Sequence, residues 1–191
     1  DSRVPRYGEH ANHEFALTDL VDVRNNVFYN WGNNNAYGGE GMNINIVNNY
    51  FKPGPATVKK DRIYSPDKNR KEGTRVYNIW GRFYIDGNFV KDSKQSTADN
   101  WTYGVYNQLH HNYASITAAE KAGLKKETPH PFNDNLRTYT AQKAYDQVLQ
   151  FSGASLVRDA VDQRNINDVE KQSFTANGSA GSKNGIIDSQ N

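Results

Sequence analysis

Two stretches of this chain repeat one frame. LVDVRNNVFYNW (residues 20–31) and MNINIVNNYFKPG (residues 42–54) each run an alternating strand into an Asn-Asn pair, followed by aromatic or apolar residues. Asn26 and Asn49 are 23 residues apart, and a fixed offset of that size carried by short strands marks a solenoid rather than a sandwich or a doubly wound sheet. A third copy, RFYIDGNFVKD (residues 82–92), puts Asn88 before Phe89, 39 residues beyond Asn49. The longer spacing implies an insertion, found in residues 53–73, which are proline-rich, basic and without a regular period.

Asparagine suits that turn for two reasons. A sharp bend between strands needs a residue at positive φ, and Asn tolerates the left-handed region better than other non-glycine residues. Stacked turns also set one side-chain amide above the next, so that donors and acceptors pair along the stack. An isolated Asn-Asn pair is an ordinary hairpin signal; three copies in one frame point to coils.

Composition fits that reading. Hydrophobic residues make up only 36% of the 191, yet 12% are aromatic, a mixture that suits a turn-rich β protein and not a disordered one. A net charge of +2 supplies no global field for nucleic acid. Without cysteine, disulfides, thiolate metal sites and thiol catalysis are excluded, while export is not. No apolar run approaches the roughly 18 residues of a membrane-spanning helix.

Residues 97–116 are aromatic and lose the period, as a cap over a solenoid end would. Helical signals begin only there. Thr117 and Glu120 form a capping box with Gly123 as a C′ residue, Thr140 caps a helix that ends before Gly153, and residues 155–172 carry Val157, Val161 and Val169 on one side. Residues 74–90 read as two strands broken at Gly81 and a third after Asn88. The expected organisation is coils over residues 1–113 and, over residues 114–191, helices and an extended tail packed on them.

The chemistry-bearing candidates are few. No GxSxG elbow or phosphate-binding loop is present, and the GGEG of residues 38–41 reads as a tight turn. His10 and His13 lack a third soft ligand, so polar packing or substrate contact suits His10 better than a metal. Lys59, Lys60 and Arg62 give the insertion a basic character that fits an anionic ligand or a solvated loop equally well. Arg3 and Arg6 flank a proline, and two guanidinium groups there fit either bidentate carboxylate capture or a structural salt bridge.

The segments SRVPRYGEH, VDVRNNVFYNW, NNNAYGGEGMNINIVNNYFKPGPAT, RFYIDGNFV, GASLVRDAVDQR and GSKNGIIDSQ resemble pectate lyases of polysaccharide lyase family 1, and more closely its Bacteroidetes-type members. The resemblance implies an all-β, right-handed parallel β-helix with a short helical or irregular C-terminal cap, and calcium-dependent β-elimination of polygalacturonate. It implies that Arg3 is the base that takes the C5 proton and that Arg6 holds a substrate carboxylate. Many relatives carry a further arginine two positions later, where this chain has Gly8. The family's Ca²⁺ ligands and its catalytic-site lysine precede the arginine motif. They are therefore expected upstream of residue 1, and the chain reads as a C-terminal part of a longer protein whose missing N-terminal part is a partner.

Three functions fit at this level. The first is a lyase that is secreted, periplasmic or on the cell surface of a bacterium. The second is a non-catalytic carbohydrate-binding β-helix, and the third a polysaccharide hydrolase on the same scaffold.

Overall fold

The computed structural model describes residues 4–8, 18–109, 116–132, 135–177 and 185. Nine short strands occur among them: β1 Arg6–Tyr7, β2 Leu20–Arg24, β3 Val27–Tyr29, β4 Ala36–Gly38, β5 Asn43–Val47, β6 Tyr50–Lys52, β7 Tyr64–Pro66, β8 Arg82–Asp86 and β9 Phe89–Val90. They pair in parallel as three sheets of three, in the orders β1-β4-β7, β2-β5-β8 and β3-β6-β9. The chain thus visits each sheet in turn, three times over, a topology compatible with a parallel β-helix.

The repeated frame sets the register. Val21, Ile44 and Phe83 align across the second sheet, as do Val23, Ile46 and Ile85, while Phe28, Phe51 and Val90 align across the third. These rows point inward with Trp31, Ile63, Tyr64 and Leu124, and the Phe28 and Phe51 rings stack at 4.8 Å. At the bend between the second and third sheets, Asn25 and Asn48 take φ of 56° and 52°, and Gly87 takes 67° in the third round. A Cβ at Gly87 would lie 1.9 Å from Asn48 Oδ1, so glycine alone fits there.

The next residue of each pair builds the amide ladder. Asn26 Nδ2 donates to Asn49 Oδ1 at 3.1 Å, and Asn49 Nδ2 to Asn88 Oδ1 at 3.0 Å. Asn88 Nδ2 then donates to Asn100 Oδ1 at 3.1 Å, a fourth rung supplied by a helix. Asn100 ends the ladder by donating to the carbonyls of Asn88 and Ser96. That end of the stack is closed by α1 (Lys94–Ala98), α2 (Asn100–Gly104) and a 3-10 turn, Tyr106–Gln108, which bury Trp101 and Val105.

Three further helices follow: α3 (Ala118–Leu124), α4 (Ala141–Phe151) and α5 (Ala160–Lys171). The capping box of Thr117 and Glu120 forms, but Gly123 lies inside α3, which runs on to bury Leu124. Asn45 binds the backbone of His130 and Asn25 that of Tyr139, which fastens this stretch across the second sheet. On the third sheet the Tyr145 ring of α4 stacks on Tyr50 at 4.3 Å, and the buried Lys52 donates to Tyr145 Oη and to the Glu170 carbonyl of α5.

Other expectations are corrected: helix begins before residue 117, in α1 and α2, within the stretch expected to be coils. The insertion is not aperiodic throughout, because Tyr64–Pro66 supplies the third strand of the first sheet. Residues 74–80 form turns in place of a strand, tied back by bridges from Lys68 to Trp80 and from Asn69 to Tyr77. The expected boundary between residues 113 and 114 lies outside the described residues. None of the described helices is long and apolar enough to cross a membrane.

Candidate functional site

Covering segments lie on the second and third sheets, whereas no hydrogen bond or ion pair described here ties residues 116–177 to the outward row of the first sheet. That row is Arg6, Tyr37 and Ser65, aligned by the register of β1, β4 and β7 and spanning about 10 Å at two interstrand spacings. Arg6 follows the cis Val4–Pro5 peptide, and the Pro5 carbonyl accepts from Tyr37 N–H at 3.2 Å. On the inward side Tyr7 packs against Tyr64, and Tyr64 Oη donates to the Gly38 carbonyl at 2.7 Å. Burial raises the ionisation of both phenols well above the ordinary tyrosine range, so the floor under the row stays neutral.

Arg6 is held chiefly by one acid, with a long bond from Nη1 to the Tyr7 carbonyl at 3.4 Å. Its Nη2 donates to Glu40 Oε1 at 2.7 Å, its Cζ sits 5.8 Å from the centre of the Tyr37 ring, and its side chain remains 35% exposed. Glu40 is 4% exposed and is aimed by the turn around it, where Gly38, Gly39 and Gly41 all take positive φ. Gly8 leaves room for the guanidinium, since a Cβ there would lie 2.6 Å from Arg6 Nη1. A guanidinium fixed by one acid and open at another edge is suited to capture a second carboxylate, and a ring beside it offers an apolar surface.

The other expected site residues fare differently. Arg62 is corrected: it is only 5% exposed, and its guanidinium donates to Gln108 Oε1 at 3.2 Å, to the Asn33 carbonyl at 3.1 Å and to Asn34 Oδ1. It ties the insertion to the closing 3-10 turn, and burial lowers its ionisation below the ordinary arginine value. Lys59 and Lys60 are exposed on the loop between β6 and β7, and no contact described here joins them to Arg6. Arg3 and His10 lie outside the described residues.

Glu40 and Tyr37 are absent from the sequence-based candidates. The available signal was a lone acid inside a run of glycines, a costly place for a charge unless a partner faces it. Among the described residues no group of three or more His, Cys, Asp or Glu side chains converges to hold a metal ion.

Fold and site together define a class: a parallel-sheet scaffold that presents a partly exposed arginine beside a tyrosine on the outward row of its first sheet. The chain is 29% identical over 154 residues to a protein named probable pectate lyase C from Aspergillus flavus, and 28% identical over 155 residues to a protein of the same name from Neosartorya fischeri. Each alignment covers 78% of this chain and 31% of the relative, so the chain spans about a third of the length of the curated relatives it matches. The similarity supports a distant, pectate lyase-like relationship. Both relatives are fungal, so they lend no support to a Bacteroidetes-type affinity or to a bacterial source. No protein-family model matches the chain.

Proposed function

We propose that this chain is part of a pectate lyase built on a right-handed parallel β-helix, which cleaves polygalacturonate by calcium-dependent β-elimination. The observation that carries the reading is Arg6, partly exposed, beside Tyr37 on the outward row of the first sheet, while amides and helices described here lie on the other two sheets. The names of the two fungal relatives point the same way. A substrate of this kind is a polymer of acidic sugars too large to enter a cell, which places the enzyme outside it.

The chemistry follows from charge. Removing the C5 proton of a uronate leaves carbanion character next to a carboxylate, and positive charge fixed beside that carboxylate lowers the barrier. In this chain Arg6 supplies such charge, paired with Glu40 through Nη2 and with its side chain 35% exposed. Calcium, where bound, would add Lewis-acid stabilisation of the same carboxylate. Its ligands, and the assignment of proton abstraction to Arg3, rest on the resemblance alone.

The whole protein, incubated with polygalacturonate and Ca²⁺, is expected to release a product with an ultraviolet-absorbing unsaturated end. The Arg3→Ala and Arg6→Ala variants are expected to lose most of that rate. Saturated reducing ends would assign a hydrolase to the scaffold, and binding without chain shortening would assign a carbohydrate-binding module.

A further inference from the structure

We propose that Glu40 is the positioning residue for Arg6: it holds the guanidinium at the angle from which its free edge meets a substrate carboxylate. This deepens the lyase reading and rests on it.

Three observations carry it. The first is the placement of the acid itself. A carboxylate that is 4% exposed needs a partner, and the ion pair to Arg6 Nη2 at 2.7 Å provides one. The second is the local backbone that delivers it. A Cβ at Gly38 would lie 2.2 Å from the Tyr7 carbonyl, and one at Gly39 would lie 2.4 Å from Tyr64 Oη, both at positive φ. Only glycine satisfies both positions, so the turn is committed to a path that carries Glu40 beneath Arg6.

The third is what surrounds the other guanidinium nitrogen. Arg6 Nη1 lies 3.4 Å from the Tyr7 carbonyl and over Gly8, where a Cβ would come within 2.6 Å. Glu40 on one side, the backbone of residues 7 and 8 on another and the Tyr37 ring at 5.8 Å restrict the group to a narrow set of orientations. A partly exposed ion pair of this kind contributes little to stability. Its larger effect is to reduce the freedom that Arg6 would otherwise lose when a ligand binds.

The competing account is a staple that joins the first and second rounds of the chain and acts on stability alone. Kinetics of the whole protein separate the two. Glu40→Ala is expected to raise KM for polygalacturonate about tenfold while kcat changes less than about threefold, as for lost ground-state orientation. In an Arg6→Ala background the same substitution is expected to change KM no further, and Glu40→Gln, which keeps the acceptor, is expected to recover most of the loss. Gly8→Ala, which crowds Nη1 without touching Glu40, is expected to mimic Glu40→Ala even if that variant fails to fold. Additive KM effects of Glu40→Ala and Arg6→Ala, or an unchanged KM in Gly8→Ala, overturn the proposal.

A readout without substrate keeps this apart from the lyase reading. Arginine side-chain NMR of the wild type is expected to show separate Nη1 and Nη2 signals for Arg6, merging in Glu40→Ala. A single averaged signal in the wild type overturns the clamp whatever the enzyme cleaves. Separate signals in a protein that releases no unsaturated product uphold the clamp and refute the lyase.

Discussion

The side-chain amide of Asn45 acts as a neighbouring strand for His130: its Nδ2 donates to the His130 carbonyl at 3.0 Å and its Oδ1 accepts from the His130 N–H at 2.9 Å. Asn25 does the same for Tyr139, with both bonds at 2.8 Å. Two outward amides thus hold a covering segment to the second sheet without any strand of its own.

That arrangement predicts an order among substitutions. Asn45→Ala is expected to lower unfolding free energy by about 1–3 kcal/mol, the cost of two lost bonds to a partly buried backbone. Asn45→Asp is expected to do worse, because Asn45 Nδ2 also donates to Asp22 Oδ2 at 2.9 Å and a second carboxylate would face the first. Amide hydrogen exchange at His130 is expected to quicken in both. Unchanged exchange would show that the segment is held by other contacts.

The amide ladder is expected to be the most sensitive part of the scaffold. Asn49 is fully buried; its Oδ1 accepts from Asn26 N and Nδ2, and its Nδ2 donates to the Val23 carbonyl and to Asn88 Oδ1. Asn49→Ala leaves several buried groups unpaired and is expected to cost about 2–4 kcal/mol in urea unfolding, against less than about 1 kcal/mol for an exposed ladder-free position such as Asn107→Ala. Equal losses at the two positions would deny the ladder its structural role.

Alkaline pH should loosen the helical cover of the third sheet. Burial, with smaller contributions from Asp168 and Tyr145, pushes the Tyr29 phenol up to about 12, and burial followed by Tyr50 and Glu170 does the same for Tyr145. The unfolded chain then loses these protons near pH 10, before the folded chain does. Stability from both groups is present below about pH 10 and is lost as pH rises toward 12. Absorbance titration is expected to show late phenolate transitions with Tyr29 and Tyr145 among them, and Tyr145→Phe to remove one of them and the Lys52 bond at 2.8 Å.

Much of the coil structure was legible because the physics is local and repeated. Asn25 and Asn48 bend the chain, Asn26 and Asn49 pair above one another, and the alternation around Ile44 and Phe83 sets the inward rows. What escaped the sequence depends on distant partners. Tyr64–Pro66 is a three-residue strand with no alternation to mark it, recognisable only by its pairing with β4. Asn100 lies in the aromatic stretch that loses the period, and only its place in α2 beside Asn88 makes it a rung. Arg62 looks like a surface cation until Gln108, 46 residues on, folds over it. At the site, Arg6 stood out through its motif, while Glu40 gained meaning only when the glycine turn carried it under the guanidinium, 34 residues along the chain.

The central claim is that the Arg6 row reads the carboxylates of an acidic polymer, and methyl esterification tests it most directly, since an ester cannot form a bidentate pair with a guanidinium. Binding of the whole protein to polygalacturonate and to its methyl ester is to be compared in the wild type and in Arg6→Ala. The account predicts that the wild type prefers the free acid by about tenfold or more and that Arg6→Ala loses most of that preference. Equal affinity of the wild type for both polymers, or a preference that survives intact in Arg6→Ala, would contradict it.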